Sequence, residues 1–376
     1  MTIATISELG AVLTGTRIVH AEALQCDIPV QSVRHDAVQD FVKQETILVR
    51  VTTEAGLVGV GYSYTIGTGG SAVLSLLRDY LLPQMVGLDS ARPEHIWQSL
   101  FKSTRSTTTG AITCLALAAI DTAVWDAKCQ AIGLPLWMAG GGAQSKVPVY
   151  DTEGGWLNLE TDELVRHALD SKDRGMRGVK IKIGKAKAYE DAERLTAVRD
   201  AVGPDIDIMV DANQCFTAAE AIQRAALFEP LDLFWFEEPL PADDITGHQR
   251  LAASTTIPIA VGESLYSVGQ FREYLHAGAA AIVQADVSRV GGITPWFKIA
   301  HLAEASNVKM APHFLMELHL SLLGAIENVL YLEHIPQLAS VTLSEIEIID
   351  GFAHVPQTPG LGIEWDFNAL DKIRVA

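Results

Sequence analysis

Three short apolar segments, each containing a carboxylate near its end, lie at regular spacing in this chain: IMVDAN (208–213), LFWFEEP (233–239) and IPIAVGES (257–264). The carboxylates are Asp211, Glu237 and Glu263, and each follows the one before it after 26 residues. This interval is about the length of one strand–loop–helix–loop unit of an α/β barrel. Three oxygen ligands at the ends of three consecutive strands suit a hard cation such as Mg²⁺, and not zinc.

The same pattern extends over the chain from Val147 onward, where short β-rich runs alternate with amphipathic helical stretches. The strand-like runs are VPVYDTEGG (147–155), GVKIKIG (178–184), DIMVDAN (207–213), LFWFEEP (233–239), IPIAVGES (257–264), AIVQADVSR (281–289), VKMAPHF (308–314) and VLYLEHI (329–335). Eight such runs predict a parallel TIM-type (β/α)8 barrel with an irregular last unit. Barrel enzymes place their active sites at the C-terminal ends of the strands, where each of these runs becomes polar.

The N-terminal part of the chain has a different pattern. Residues 16–62 alternate like antiparallel strands, with a turn at TEAG (53–56). Helical patterns follow near 71–86, 92–103 and 109–131. Strands followed by helices predict an α+β unit. We therefore expect an α/β protein with an α+β capping domain of residues 1–135, completed by residues 340–376, and a modified barrel of residues 136–339 as the catalytic domain.

Lys180 and Lys182 lie two residues apart and therefore face the same side of the predicted strand. Two ammonium groups held close together lower each other's pKa, and a lysine near neutrality can act as a base near pH 7. The alternative is a basic edge strand with one lysine in solvent. In the pair formed by Glu237 and Glu238 only one side chain can point inward, and we expect this to be Glu237, with Glu238 structural.

Asp286 and His313 fall on the sixth and seventh runs. Adjacent strands would place the carboxylate against one ring nitrogen, which raises the histidine pKa and leaves the other nitrogen for acid/base chemistry. The alternative is a buried structural histidine, and we expect structural or surface roles for His167, His248, His276, His301, His319 and His354. Glu333, on the eighth run, would donate a hydrogen bond to an enolate oxygen if it were protonated; an ordinary ion pair is its alternative.

The composition restricts the class of protein. With 46 acidic and 28 basic residues among 376, the formal net charge is −18, which argues against nucleic acid and anionic membranes as partners. The four cysteines are scattered without a CxxC pair, which indicates a reducing compartment. MTIATISELG (1–10) lacks the features of a secretory signal, and the apolar AITCLALAAI (111–120) meets Asp121 too soon to span a bilayer. We therefore expect a cytoplasmic protein without a membrane segment.

These residues, in this order, strongly resemble the mandelate racemase subgroup of the enolase superfamily over nearly the whole chain. The resemblance implies one Mg²⁺ per active site, held by Asp211, Glu237 and Glu263. It implies that Lys182 is a base with Lys180 as its pKa-lowering neighbour, and that Asp286 and His313 form a dyad on the opposite face. Glu333 matches the residue that hydrogen-bonds the substrate carboxylate.

Secondary segments resemble two groups of acid-sugar enzymes. YDTEGGWL (150–157), APHFLMELHLSL (311–322), LEH (332–334) and PQTPGLGI (356–363) resemble galactarate/talarate dehydratases, whereas GVGYSYTIGTGG (59–70) and LPLWMAGG (134–141) resemble anhydrogalactonate cycloisomerases. The resemblance implies Mg²⁺-dependent α-proton abstraction from a small-molecule carboxylate through an enediolate, with dehydration of a hexarate or aldonate to a 2-keto-3-deoxy acid. Racemisation or epimerisation and cycloisomerisation are the alternatives. A non-catalytic sugar-acid binder and a zinc hydrolase are less favoured, because the catalytic set is complete and clustered histidine ligands are lacking.

Substrate choice is expected to depend on two cap loops, 28–37 and 65–72. In the first loop Arg34 and His35 would recognise a distal carboxylate or hydroxyl group, and a solvated mobile loop is the alternative. In the second loop the glycines at 67, 69 and 70 indicate a flexible lid and not a phosphate-binding loop, since no fingerprint for one follows. Members of the subgroup often assemble, so a homo-oligomer is also expected.

Overall fold

The computed structural model describes residues 14–376. Its first unit is an antiparallel sheet formed by β1 (Ile18–His35), β2 (Asp40–Thr53) and β3 (Val58–Thr65), in that order across the sheet. The turn between β2 and β3 falls on the expected TEAG segment. Gly56 there has a φ of 81°, which glycine adopts without strain, and donates its N–H to the Thr53 carbonyl oxygen at 2.9 Å. The strand–turn–strand prediction is confirmed.

The prediction that residues 28–37 form a loop is wrong, because strand β1 continues to His35. Cross-strand pairing with β2 reaches Pro29, shifts register, and resumes with Arg34 opposite Phe41. Proline has no N–H to donate to the ladder, so an irregularity beside it is expected in an edge strand. Residues 28–35 are therefore the last part of strand β1, and the hairpin turn lies between His35 and Asp40.

Helices cover one face of this sheet. They are α1 (Gly70–Leu76), α2 (Pro93–Ser103), α3 (Ala111–Ile132) and α4 (Leu136–Gly140), and α1 continues into a wide turn at Leu77–Leu81 and a tight turn at Leu82–Gln84. The second predicted loop, 65–72, is shorter than expected because a helix begins at Gly70. Alanine-rich α3 packs on β3 so closely that a β-carbon at Gly59 or Gly61 would collide with the backbone of Ala123. Small residues on both elements permit this approach.

The second unit is a closed parallel barrel. Its strands are β4 (Lys146–Asp151), β5 (Gly178–Lys182), β6 (Asp207–Asp211), β7 (Trp235–Glu237), β8 (Ile259–Val261), β9 (Ile282–Val283), β10 (Lys309–Met310) and β11 (Leu332–His334). The helices between them are α5 (Thr161–Asp173), α6 (Ala188–Val202), α7 (Ala218–Phe228), α8 (Ile245–Ala252), α9 (Val268–His276), α10 (Ile293–Ala305) and α11 (Met316–Gly324). Neighbours from β4 to β10 are parallel, β11 pairs with β4, and a bridge between Met310 and Val329 closes the ring. The predicted fold class is confirmed.

The last barrel unit is irregular, as predicted. After β11 the chain forms β12 (Ile348–Ile349), β13 (Phe352–His354) and α12 (Phe367–Lys372). Strand β13 pairs antiparallel with β4, and the chain then returns to the cap. There Trp365 packs edge-on against Tyr62 with ring centroids 5.2 Å apart. Asp126 of α3 accepts N–H bonds from Val60 and Leu361, each at 2.9 Å, so one carboxylate joins the cap helix, the cap sheet and the C-terminal segment.

Side chains fill the lower part of the barrel interior. They are Tyr150, Met209, Trp235, Ala260, Ile282, Ala311 and Tyr331. The ring of Tyr150 meets those of Trp235 and Tyr331 edge-on, at centroid distances of 5.1 and 5.9 Å. Because side chains alternate along a strand, the next inward positions lie toward the C-terminal ends, above this apolar plug. Those positions hold the lysines and carboxylates singled out in the sequence.

Within residues 14–376, no helix has the length and apolar character needed to cross a membrane. All four cysteines are free thiols, and Cys26, Cys114 and Cys129 are buried. The expectation drawn from MTIATISELG concerns residues that lie outside the described part of the chain.

Candidate active site

The three carboxylates predicted to bind a metal converge at the barrel mouth. Asp211 and Glu237 end β6 and β7, and Glu263 follows β8 by two residues. One oxygen from each lies within 4.8 Å of the others, and all three side chains are buried. Glu263 Oε2 accepts no hydrogen bond among residues 14–376, and its nearest ionic partner is His313 Nε2 at 3.3 Å. An all-oxygen set with an unsatisfied buried carboxylate oxygen fits a hard divalent cation such as Mg²⁺.

The triad holds more negative charge than its surroundings balance. Burial and the nearby Asp211 raise the pKa of Glu237 to about 7, against the opposing effect of Lys180. Burial would also raise the pKa of Asp211, but Lys182 and Lys180 outweigh it and lower that pKa. Glu238 turns away from the triad with a φ of 36° and accepts hydrogen bonds from the Gln214 side chain and the Ser264 N–H, at 3.1 and 3.2 Å.

Both lysines of the KxK segment point into the barrel and contact the carboxylates. Lys180 Nζ lies 2.9 Å from Glu237 Oε1 and 2.8 Å from Glu333 Oε1. Lys182 Nζ donates to Asp211 and, at 3.0 Å, to Asn213 Oδ1. Burial lowers the pKa of Lys182 and so does Lys180, as expected, but Asp211, Glu263 and Glu237 together outweigh them and the pKa is raised. A divalent cation held by these carboxylates would offset their charge, so the lowered pKa expected for Lys182 stays a prediction.

His313 and Asp286 form the expected pair across adjacent strands. His313 Nδ1 lies 3.0 Å from Asp286 Oδ2, and His313 Nε2 lies 3.3 Å from Glu263 Oε2. Burial would lower the pKa of His313, but Glu263 and the bond to Asp286 raise it. The Tyr64 hydroxyl, from cap strand β3, donates to Asp286 Oδ2 at 2.7 Å. The other face of the triad thus carries an oriented imidazole, which the cap helps to hold.

Glu333 reaches the same cluster from β11. Its Oε2 accepts the Phe314 N–H and its Oε1 accepts the Thr152 hydroxyl, both at 2.7 Å, beside the ammonium of Lys180. Burial would raise the pKa of Glu333, but Lys180 and then His313 outweigh it, and the pKa is lowered. In this arrangement Glu333 is the ion-pair partner that the sequence left as the alternative, and an ionised carboxylate can only accept; donation to an enolate oxygen would need the protonated form.

The cap residues predicted to contact substrate already have partners within the protein. Arg34 is buried, pairs with Glu153, and lies over the Phe41 and Trp156 rings at 5.3 and 5.7 Å. Burial lowers its pKa to about 10, although Glu333 opposes the change. His35 is part-exposed at the hairpin end and pairs with Asp40.

A cavity of about 320 Å³ opens beside the triad, between the barrel mouth and the cap. Its polar lining comprises Gln39, Tyr64, Thr65, Thr68, Asn213, Gln214, Glu238, Glu263, Ser264, Tyr266 and Arg289. Sequence reasoning missed Tyr64 and Arg289. Alternation along β3 indicates that Tyr62 and Tyr64 share a face, but no sequence signal named Asp286, 222 residues away, as a partner.

Comparison with known proteins agrees with this geometry. Residues 16–139 match the mandelate racemase / muconate lactonizing enzyme N-terminal domain, and residues 163–369 match the enolase C-terminal domain-like family. The chain is 36% identical over 316 residues to the L-talarate/galactarate dehydratase of Salmonella typhimurium, covering 84% of this chain and 79% of that one. It is 34% identical over 342 residues to the 3,6-anhydro-alpha-L-galactonate cycloisomerase of Streptomyces coelicolor, covering 91% and 94%.

A solved structure extends the similarity to the whole fold. It is the L-talarate dehydratase from Polaromonas sp. JS666, complexed with Mg and L-glucarate, which superposes with a TM-score of 0.89 at 34% identity and covers 96% of this chain and 98% of that one. The two family matches indicate the same family as the fold and the carboxylate triad do. The chain is therefore an enzyme of the enolase superfamily and belongs to its mandelate racemase / muconate lactonizing enzyme family.

Proposed function

We propose that this enzyme removes the α-proton of an acid-sugar carboxylate and eliminates its β-hydroxyl group to give a 2-keto-3-deoxy acid. The observation that carries the proposal is the position of two proton-transfer groups at opposite ends of one carboxylate triad. Lys182 contacts Asp211 at one end, and His313 Nε2 lies 3.3 Å from Glu263 at the other. A carbon acid held between them meets a base on either face.

In the proposed reaction the α-carbon–hydrogen bond breaks, and the proton passes to Lys182 Nζ or His313 Nε2, depending on the face it occupies. The electron pair delocalises into the substrate carboxylate as an enediolate. Mg²⁺, which Asp211, Glu237 and Glu263 would hold, supplies the positive charge that makes this proton more acidic. The β-carbon–oxygen bond then breaks, the imidazolium of His313 gives its proton to the departing hydroxyl, and water leaves. The enol product tautomerises to the keto acid.

The remaining site residues have supporting roles in this proposal. Asp286 orients His313 through its Nδ1, and Lys180 holds Glu237 and Glu333 together. Glu333 would hydrogen-bond the substrate carboxylate only in its protonated form; ionised beside Lys180, it accepts from a substrate hydroxyl group instead. We leave Arg34 and His35 out of this set because each is already ion-paired within the cap or the loop beside it.

Two related reactions use the same first step. The 34% identical relative named as a cycloisomerase favours ring opening of an anhydro acid, in which the leaving β-oxygen belongs to the ring. A base on each face also suits proton transfer from one side of the α-carbon to the other, as in a racemase or epimerase. Dehydration is preferred because the L-talarate/galactarate and arabinonate relatives are both named dehydratases.

The test is product formation with a panel of hexarates and aldonates in the presence of Mg²⁺. We expect at least one member to yield a 2-keto acid, detected as its semicarbazone and by proton NMR. EDTA and the Lys182→Ala substitution should each abolish the product. A ring-opened keto acid formed only from an anhydro acid would favour the cycloisomerase. The proposal fails if no panel member or anhydro acid loses its α-proton.

Three further properties belong to the same proposal. We infer that the enzyme works in the cytoplasm as a homo-oligomer, and that residues 1–135 with 340–376 form one domain and residues 136–339 the other. Four free thiols support a reducing compartment. Light scattering after size-exclusion chromatography tests the assembly; a mass of 40.6 kDa, that of one chain, would contradict it.

A further inference from the structure

The cavity beside the triad is where the part of the substrate beyond its reacting carboxylate must lie, if the proposed function holds. Its wall is formed by the hairpin end at Val38 and Gln39, the segment Tyr64–Thr68, and barrel loops that include Gln214 and Tyr266. Of the lining residues that the structure describes, Arg289 is the one lysine or arginine. A positive charge for a second substrate carboxylate is therefore available in this wall only if Arg289 is not already paired with a carboxylate of the protein.

Arg289 is already balanced by carboxylates of the site. Its Nη1 lies 3.5 Å from Glu263 Oε1 and donates to the Glu263 carbonyl oxygen at 3.2 Å, and its Nε lies 3.9 Å from Asp286 Oδ2. The guanidinium is thus directed at the reacting end of the site. Drawing it toward a distant anion would leave two buried carboxylates less compensated, which is costly.

Among the cap residues that the structure describes, Arg34 and Lys43 are both ion-paired. Arg34, the residue that the sequence suggested for reading a distal carboxylate, pairs with Glu153 and is packed between aromatic rings outside this cavity. Nearby Glu45 accepts from the Thr65 hydroxyl at 2.5 Å and the Gly70 N–H at 3.0 Å, and Lys43 Nζ lies 3.4 Å from its Oε1, so the Lys43 ammonium is already paired. A second carboxylate on the substrate would therefore find no unpaired lysine or arginine among the described residues that line the cavity.

Neutral hydrogen-bonding groups are available instead. Gln39, Thr68 and Tyr266 line the cavity, and the side chain of each carries a neutral hydrogen-bonding group. Each can donate to or accept from a hydroxyl group. This lining matches a polyhydroxy chain or an anhydro ring, and not an anion.

We propose that the substrate is a monocarboxylic acid sugar, an aldonate or an anhydroaldonate whose distal end is uncharged, and that dicarboxylic aldarates are rejected. The inference rests on the proposed function and narrows its substrate class. Rejection arises because the distal carboxylate of an aldarate would lose hydration without gaining a cation.

The test compares matched pairs that differ only at the distal carbon: D-galactonate with galactarate, and D-gluconate with D-glucarate. We expect kcat/KM for the preferred aldonate to exceed that for its aldarate by at least about tenfold. An equal or higher value for the aldarate would overturn the inference while leaving the proposed function intact.

A charge introduced at the cavity wall provides the converse test. Thr68 is exposed and lies between two glycines, so a longer side chain fits there. Thr68→Lys should raise kcat/KM for the aldarate and so reduce the tenfold difference between aldonate and aldarate. Thr68→Met, similar in length but uncharged, should leave that difference unchanged. Equal effects of the two substitutions would contradict an electrostatic basis for selection.

Binding separates failure of this inference from failure of the proposed reaction. Calorimetric titration of the Lys182→Ala variant in Mg²⁺ needs no turnover. Tighter binding of the aldonates supports the inference even if no panel member reacts. Tighter or equal binding of the aldarates, or binding of neither class, contradicts it.

Discussion

The carboxylate of Asp286 receives hydrogen bonds from three parts of the chain. Tyr64 of the cap and His313 of the barrel both reach Oδ2, at 2.7 and 3.0 Å, and the Ser288 N–H reaches Oδ1 at 2.8 Å. Burial would raise the pKa of Asp286, but the bond from His313 and its charge lower it to about 2. The group that orients His313 is therefore ionised and is positioned partly by the cap.

Replacing Tyr64 with Phe should impair the step that uses His313. Loss of a hydrogen bond to a charged acceptor is expected to lower kcat about 10- to 100-fold, with little change in fold, since the ring still packs on Phe314. Tyr62→Phe is the matched control, because the buried Tyr62 hydroxyl has no partner among residues 14–376. In a protein that already carries Asp286→Asn, Tyr64→Phe should lower kcat no further. If the two losses of kcat are additive, Tyr64 does not act through Asp286.

Much of this site is readable from the sequence, because most of its residues lie at or just beyond the C-terminal end of a strand. Asp211 and Glu237 fall at strand ends that hydrophobic runs define, and parallel strands bring such ends together. The protonation of the cluster is not readable in this way. The net pKa of Lys182 depends on its distance from Asp211, and that of Glu333 on Lys180, and sequence spacing does not give either distance.

Helix α3 connects the cap sheet to the C-terminal segment through Asp126. Beside its bonds from Val60 and Leu361, the carboxylate accepts the Gln130 side chain at 2.8 Å. Burial raises the pKa of Asp126 from 3.8 to about 6, while the two backbone N–H bonds oppose the change. The carboxyl group therefore binds its proton more tightly in the folded protein than in the unfolded chain.

This shift predicts a pH-dependent contribution to stability. The contribution is fully present below the unfolded pKa of 3.8 and is lost as pH rises through the folded pKa of about 6. The free energy of unfolding of the parent, relative to Asp126→Asn, should thus fall by up to about 3 kcal/mol between about pH 4 and about pH 8. Urea titrations at both pH values measure this difference. A difference that stays constant or grows with pH would exclude the shift.

At the element scale, periodicity predicted the barrel strands and the cap helices but not the extent of the first hairpin. Residues 28–37 carry a proline and many polar side chains, which favour a loop. Pairing with β2 nevertheless extends the strand to His35, because the ladder tolerates one register shift at Pro29. Long-range pairing of this kind is a tertiary effect that local composition does not encode.

At the scale of the whole molecule, a cation at the triad would link three barrel strands and stabilise the fold. Mg²⁺ at about 100 times its dissociation constant should raise the free energy of unfolding by about 2.7 kcal/mol and the Tm by several degrees. Glu237→Gln should remove this shift. Glu238→Gln, whose parent carboxylate contacts Gln214 and Ser264 instead, should retain it. Thermal melts with Mg²⁺ and with EDTA measure this change in Tm. An equal change in Tm in both variants would contradict the assignment of Glu237 as a ligand.

Proton NMR of α-proton exchange in D₂O is the sharpest test of a base on each face of the triad, because it reports the first chemical step whatever the product. The protein with Mg²⁺ is incubated with acid sugars epimeric at C2. We predict that the parent exchanges or removes the α-proton, that His313→Asn loses this activity for one epimer more than for the other, and that Lys182→Ala shows the opposite preference. Absence of exchange with every acid sugar, or equal losses for both epimers in both variants, would contradict a base on each face of the triad.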